Sequence, residues 1–277
     1  LPISNRSSPK PSLHWDFSQG LGDTILGIKC QLKAGARIEN GTLIVSNGGY
    51  GVTERIPFGV SEKTLSTWIK LDDLNQRAGG AITLQTPTGV VFDSIVYAEK
   101  QPFLWMSGSN NFRRTENFTL APQEKNADKE FVQIVITYSK EGKITGYRNG
   151  QQYGKSYQKS TFNFKPNDSV ISFGVRHLPA SPQRMLQAKL RTASLFDREL
   201  TSAEVKSFFD PESHISLEKI IEKLSIEENE RFSKLSSQRK EIMEEIRELE
   251  KLRTSNKPEL QDLALALYNM KEFIYLK

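Results

Sequence analysis

The stretch FVQIVITYSKEGKITGYRNGQQYG, Phe131 to Gly154, decides the fold class. In its first half Val132, Ile134, Ile136 and Tyr138 alternate with Gln133 and Thr137, the period of two that sends successive side chains to opposite faces of a half-buried strand. In its second half Asn149-Gly150 supplies the pair of residues that tolerates the positive φ angles of a two-residue hairpin turn. The stretch therefore predicts antiparallel strands folded back on one another. Its tyrosines and Arg148 raise a second question, because polar residues of any kind would serve such a turn.

The same grammar extends outward from there. ARIENGTLIVS (36–46, with Asn40-Gly41), TLSTWIKL (64–71), GAITLQTPTGVVFDSIVYAE (80–99, with a Pro-Thr-Gly turn), PFLWMSG (102–108), SVISFGV (169–175) and AKLRTASLF (188–196) all read as short strands bounded by turn residues. Parallel sheets need helical crossovers of about a dozen residues, and none is visible between 13 and 196. The expectation is a mainly β, antiparallel jelly-roll sandwich. Thr201 with Glu204 three residues later forms a capping-box pattern that starts a short helix carrying Val205, Phe208 and Phe209. These three are expected to pack on the sandwich.

Past Pro211 the composition changes. Residues 216–253 contain no Gly or Pro, and Ile221, Leu235, Ile242, Ile246 and Leu249 fall mainly on a seven-residue spacing, which predicts one continuous helix. Glu228 and Arg239 interrupt the seam and argue against a parallel coiled coil. Ser255 to Pro258 break the pattern, and Leu260, Leu263, Ala264 and Leu267 open a second helix, so a long C-terminal helical hairpin is expected. The Pro/Ser/Lys-rich opening reads as a linker. The division is then 1–12 linker, 13–212 sandwich, and 213–277 helical hairpin with the start of a following domain.

Composition narrows the function classes. Of the 277 residues, 37% are hydrophobic and 26% charged, with a net charge of +5, as in a globular chain and not a disordered one. No run approaches the roughly 20 apolar residues of a membrane-spanning helix. The basic residues are scattered and not gathered in a stripe, so nucleic acid is not an expected partner. One cysteine, Cys30, excludes an internal disulfide and a multi-cysteine zinc site, and His14, His177 and His214 show no ligand spacing. Asp93 and Glu99 are the best acid pair, yet six residues along a regular strand separate them by about 20 Å, too far for paired carboxylate catalysis. No G-x-S-x-G elbow surrounds Ser107 or Ser109, and SNGGYGV (46–52) lacks the Lys-Ser/Thr of a phosphate loop.

The run WMSGSNNFRRT (105–115), the hairpin YRNGQQYG and the segment FGVRH (173–177), followed by LFDRELTSAEV, resemble the laminin-G-like, concanavalin A-like lectin/glucanase domains, whose closing strand commonly reads like YDRALTAAEV. More narrowly, the combination is similar to the lectin-like domain of large exported bacterial proteins that pair a cytochrome-like region with uncharacterised flanking domains. The resemblance covers most of 13–209, and the terminal ALALYNMKEFIYLK resembles the start of a following domain. It implies a jelly roll, an exported (periplasmic or extracellular) bacterial protein, and neighbouring domains of the same polypeptide as partners. Glucanases of this fold carry ExDxxE in one strand, and this sequence has no such triplet. Calcium-binding relatives often place an acid before the closing strand, where Lys189 and Arg191 stand here, so no cofactor or metal is expected, with a structural calcium ion kept as the alternative. Planar, donor-rich side chains remain: Trp105, Asn110, Arg113, Arg148, Tyr157 and Arg176 are the candidate ligand-binding residues for a polysaccharide or other glycan. Two uses of this group stay open at this point, sugar recognition and the tying together of loops. The expected function is a non-catalytic carbohydrate-binding-like module. A domain-domain interaction module without a glycan ligand and, last, a polysaccharide-cleaving enzyme are the alternatives.

Overall fold

A computed structural model describes residues 8–209 and 224–255. By its contacts the chain divides into two compact units, Leu1–Leu217 and Glu218–Lys277. In the first unit the strands run β1 (Leu13–Asp16), β2 (Cys30–Lys33), β3 (Arg37–Glu39), β4 (Thr42–Val45), β5 (Tyr50–Thr53), β6 (Lys63–Leu71), β7 (Gly79–Gln85), β8 (Phe92–Tyr97), β9 (Trp105–Ser109), β10 (Val132–Tyr138), β11 (Lys143–Arg148), β12 (Gln151–Gln152), β13 (Tyr157–Gln158), β14 (Val170–Phe173) and β15 (Ala188–Phe196). They form two antiparallel sheets. One has the order β12-β11-β10-β6-β15-β4-β3, with β1 on β15 and β13 on β11, and the other β2-β5-β14-β7-β8-β9.

The alternation read in β10 is the alternation observed. Val132, Ile134, Ile136 and Tyr138 enter the core between the sheets, while Val135 turns to the outer face. Asn40-Gly41 and Asn149-Gly150 take positive φ at all four residues, which is what the two tight turns require. The core is closed by Trp15 and Phe17, both edge-on to Phe173 at 5.3 and 5.4 Å between ring centroids.

On the outer face of the larger sheet lies α1 (Ser202–Phe208). Its capping box is formed: Thr201 Oγ1 accepts from Glu204 N while Glu204 Oε2 accepts from Thr201 N. Val205 packs with Val135, Tyr147, Phe196 and Leu200, and Phe208 meets Phe196 edge-on. Phe209 stacks on Trp68 at 5.6 Å. Trp68 is thus buried beneath this helix and not between the sheets. Each such side chain contributes about 1.5–3 kcal/mol by leaving water.

In the second unit the helix is α2 (Ile226–Ser255), and this corrects the expectation of a continuous helix from 216. Ser225 and Glu228 form a second reciprocal cap, Ser225 N donating to Glu228 Oε2 and Glu228 N to Ser225 Oγ, so the helix starts at Ile226. Leu235 and Ile242 stand exposed on it. The return arm expected from Pro258 lies outside the described residues, as do 210–223, and nothing described supports a hairpin. No helix among the described residues is long and apolar enough to cross a membrane.

Candidate functional site

The outer face of the smaller sheet carries a polar row where β7, β8 and β14 lie side by side. Thr83 sits opposite Ser94 and Ser172, and Gln85 opposite Phe92 and Val170. This row is not open to water, because the loop from Gly174 to Leu186 crosses it. Thr83 Oγ1 donates to the carbonyls of Val175 and Arg176 at 3.1 and 3.0 Å, and Gln85 Oε1 accepts from Leu178 N at 2.8 Å. The two limbs of the loop are laced to each other by Leu186 N to Gly174 O and Arg176 N to Arg184 O. Close approach to β7 requires glycine: a Cβ at Gly80 would lie 2.6 Å from Arg176 Cα.

Beside this loop is a cleft of about 460 Å³, walled also by the β7–β8 turn and by the turn after β9. Val90, Glu99, Asn110, Phe112, Arg176 and Arg184 line it, with His177. Arg176 Nη1 pairs with Glu99 Oε1, whose side chain is only 6% exposed. His177 stacks on Phe92 at 4.4 Å, and its Nδ1 faces the Leu178 carbonyl at 2.7 Å. A carbonyl can only accept, so Nδ1 carries the proton and Nε2 is the remaining acceptor of the neutral ring. Burial lowers the pKa of His177, and the charges of Arg184 and Arg176 lower it further. Burial likewise lowers that of Arg176, with Arg184 adding to it. Asn110 Oδ1 accepts from Arg114 Nη2 at 2.8 Å, which leaves the Asn110 amide NH₂ as its donor end. Asn111 and Phe112 both hold positive φ, 50° and 53°, and Phe112 and Val90 are 49% and 71% exposed at the rim. Left-handed conformations at non-glycine residues store strain and gather at ligand clamps.

The six candidate residues are divided by the structure. Asn110 and Arg176 meet in the cleft. Arg113 is exposed and not among the cleft-lining residues. Trp105 is buried, 1% exposed, so no ring face is open to a sugar; its Nε1 donates to Glu124 Oε2 at 2.8 Å. Arg148 forks onto both oxygens of the same Glu124 at 2.8 Å. The Tyr157 hydroxyl bonds Ser107 Oγ and the Arg114 carbonyl. Trp105, Arg148 and Tyr157 thus spend polar groups on ties within the sandwich. Glu124 also accepts from the amides of Lys125, Asn126 and Ala127. Burial raises its pKa, but the Arg148 bonds and charge, with the backbone and indole donors, outweigh that and hold it below the usual value. Sequence reasoning missed Arg184, Val90 and Phe112 as site residues. Their one signal was their place in polar, turn-rich loops.

A family model for the concanavalin A-like lectin/glucanases superfamily matches residues 45–206. The chain belongs to this superfamily. Among curated proteins none matches. Solved structures of similar fold include a Trypanosoma rangeli sialidase in complex with 2,3-difluorosialic acid (15% identity, 76% of this chain and 35% of that one, TM-score 0.53). They also include domain 4 of an extracellular arabinanase from Geobacillus stearothermophilus in complex with arabinotriose (15%, 73% and 100%, 0.53). A third is botulinum neurotoxin type C, whose cell entry depends on two ganglioside molecules (14%, 73% and 50%, 0.52). The chain spans about a third of the sialidase's length, and identities this low show the fold alone.

In this lectin/glucanase-like sandwich the two acids weighed as a catalytic pair have separate duties. Glu99 holds Arg176 in the cleft wall. Asp93 points the other way, into the space between the sheets, where it is fully buried with Lys63 Nζ at 3.0 Å and Arg114 Nε at 2.6 Å. Lys63 lies over the Tyr138 and Phe164 rings at 4.9 and 5.4 Å. Arg114 then reaches the Phe92 carbonyl and Asn110, so the buried triad fixes the orientation of a cleft residue. Among the described residues no cluster of three His, Cys, Asp or Glu is placed to hold a metal ion.

Proposed function

We propose that this sandwich is a non-catalytic glycan-recognition module whose site is the cleft beside the 174–186 loop. The observation that carries the reading is the convergence of three separate loops on one cavity. They bring hydroxyl-matching groups (the Asn110 amide, His177 Nε2, Arg184) beside exposed apolar surface at Val90 and Phe112, the pairing a sugar ring demands. The cavity volume falls in the usual range of about 300–1,000 Å³ for small-ligand sites. Three proteins of similar fold meet a sialic acid analogue, arabinotriose or gangliosides, which supports the class of ligand. Binding without cleavage is favoured because glycoside hydrolysis uses two carboxyl groups about 5–9.5 Å apart, and the residues lining the cleft include a single carboxylate, already paired. We further propose that residues 13–212 are the module of an exported protein and that 213–277 lead into its neighbouring domain.

A domain-docking role without a glycan is the second reading, and it is favoured at one place: the tyrosine-rich hairpin spends its side chains internally, Tyr147 on Ser202 and Arg148 on Glu124. The experiment that separates them is native gel retardation by a panel of soluble neutral and acidic polysaccharides. The proposal predicts retardation by at least one polymer, abolished in Phe112→Ala and retained in Tyr147→Phe. Absence of retardation by every polymer refutes it in favour of docking.

A further inference from the structure

We infer that the cleft selects an acidic sugar, whose carboxylate or sulfate is taken by Arg184. This rests on the glycan reading and adds the charge of the ligand. Arg176 is engaged by Glu99, but Arg184 makes one long contact, Nη1 to the Pro179 carbonyl at 3.4 Å, and no ion pair among the described residues. Two guanidinium groups and one carboxylate leave one positive charge unbalanced. The Asn110 amide offers its NH₂, since its oxygen is held by Arg114, whereas His177, its Nδ1 proton spent on the Leu178 carbonyl, offers the acceptor Nε2. The open hydrogen-bonding capacity is thus mostly donors.

A neutral sugar hydroxyl can accept from Arg184, but it would displace water there without supplying a counter-charge. A half-buried cation stripped of water without a partner is costly. A carboxylate or sulfate brings only acceptors and two oxygens at the spacing of the guanidinium fork. The crowding of the cations points the same way, because Arg184 disfavours the charged forms of both Arg176 and His177, and an anion placed among them relieves that repulsion. Val90 and Phe112, exposed at the rim, add an apolar wall that a free inorganic anion has no use for.

The test is calorimetric titration of the whole chain with four probes: polygalacturonate, its carboxyl-reduced neutral form, chondroitin sulfate, and inorganic sulfate. The inference predicts that polygalacturonate or chondroitin sulfate binds at least about tenfold more tightly than the neutral polymer, a difference of about 1.4 kcal/mol. Arg184→Gln should remove that advantage, Arg184→Lys restore only part of it, and Lys165→Gln, an exposed cation outside the cleft, leave it intact. If neutral and acidic polymers bind alike and Arg184→Gln changes nothing while Phe112→Ala abolishes binding, the acidic selection is wrong and the glycan reading survives. Equal losses in Lys165→Gln and Arg184→Gln would reduce the effect to overall charge and overturn it. Binding of inorganic sulfate as tight as the polymers overturns the sugar component. Silence of all four probes removes both readings.

Discussion

Removing Asp93 is the sharpest perturbation of the fold that supports the cleft. Asp93 is the single anion between two cations whose side chains are 2% and 4% exposed, at 3.0 Å from Lys63 and 2.6 Å from Arg114. In Asp93→Ala, Lys63 keeps the Ser61 carbonyl and Arg114 keeps the Phe92 carbonyl and Asn110, but both charges lose their counter-ion. Breaking a buried pair by deleting one partner costs about 3–5 kcal/mol, because the remaining charge is left uncompensated. For a unit of this size that is a fall in Tm of about 6–20 °C. Arg114→Met is the informative control, since it leaves one cation facing one anion and should cost less than Asp93→Ala. Urea unfolding followed by tryptophan fluorescence reads both, Trp15 and Trp105 being buried in the first unit. A loss below about 1 kcal/mol for Asp93→Ala, within the range of ordinary surface substitutions and mild core changes, would refute the uncompensated-charge argument. So would a larger loss for Arg114→Met.

Three further outcomes are expected. Arg148→Ala removes a two-bond fork from buried Glu124 and should cost about 1.5–3 kcal/mol, while leaving polysaccharide retardation unchanged; a selective binding loss at constant stability would return Arg148 to the site. Cys30, whose thiol burial pushes up to about 12, should resist a disulfide reagent near pH 8 in the native chain and react after unfolding in urea; rapid native labelling contradicts its burial. Glu204 is held near a pKa of about 2, first by Arg198 and then by the Thr201 amide. Because its folded value is depressed, its stabilising effect is complete above the ordinary value of 4.5 and is lost as the pH falls toward 2, so the stability gap between wild type and Glu204→Gln should close over that window. A gap that is constant with pH would show that charge is not its origin.

The strands and turns were legible in the sequence because their determinants are local. Alternation in Val132 to Tyr138, the Asn-Gly pairs at 40 and 149, and the Thr201–Glu204 cap each act within a few residues. The cleft was only half legible because its walls meet through pairing of distant strands: β14 lies against β7, which brings the 174–186 loop over Gly80. The planar, donor-rich chemistry of Trp105, Arg148 and Tyr157 is visible in the sequence, but the direction each side chain takes is not. Strand pairing puts Arg148 opposite Ile134, on the core side, where Glu124 waits, and Tyr147 opposite Val135, beneath α1. This answers why tyrosine and arginine crowd that turn. Glu228, taken as a break in a helical seam, is the third residue of a helix start, a role visible in Ser225-Ile-Glu-Glu once the seam is set aside.

The central claim, that recognition lies in the cleft and not on the tyrosine hairpin, is tested most directly by amide hydrogen exchange of the chain with and without polygalacturonate. Added protection is expected in residues 88–92, 109–112 and 176–184 alone, with 147–157 and 226–255 unchanged. Protection centred on 147–157, or none in the three cleft segments while the polymer is bound, would contradict it.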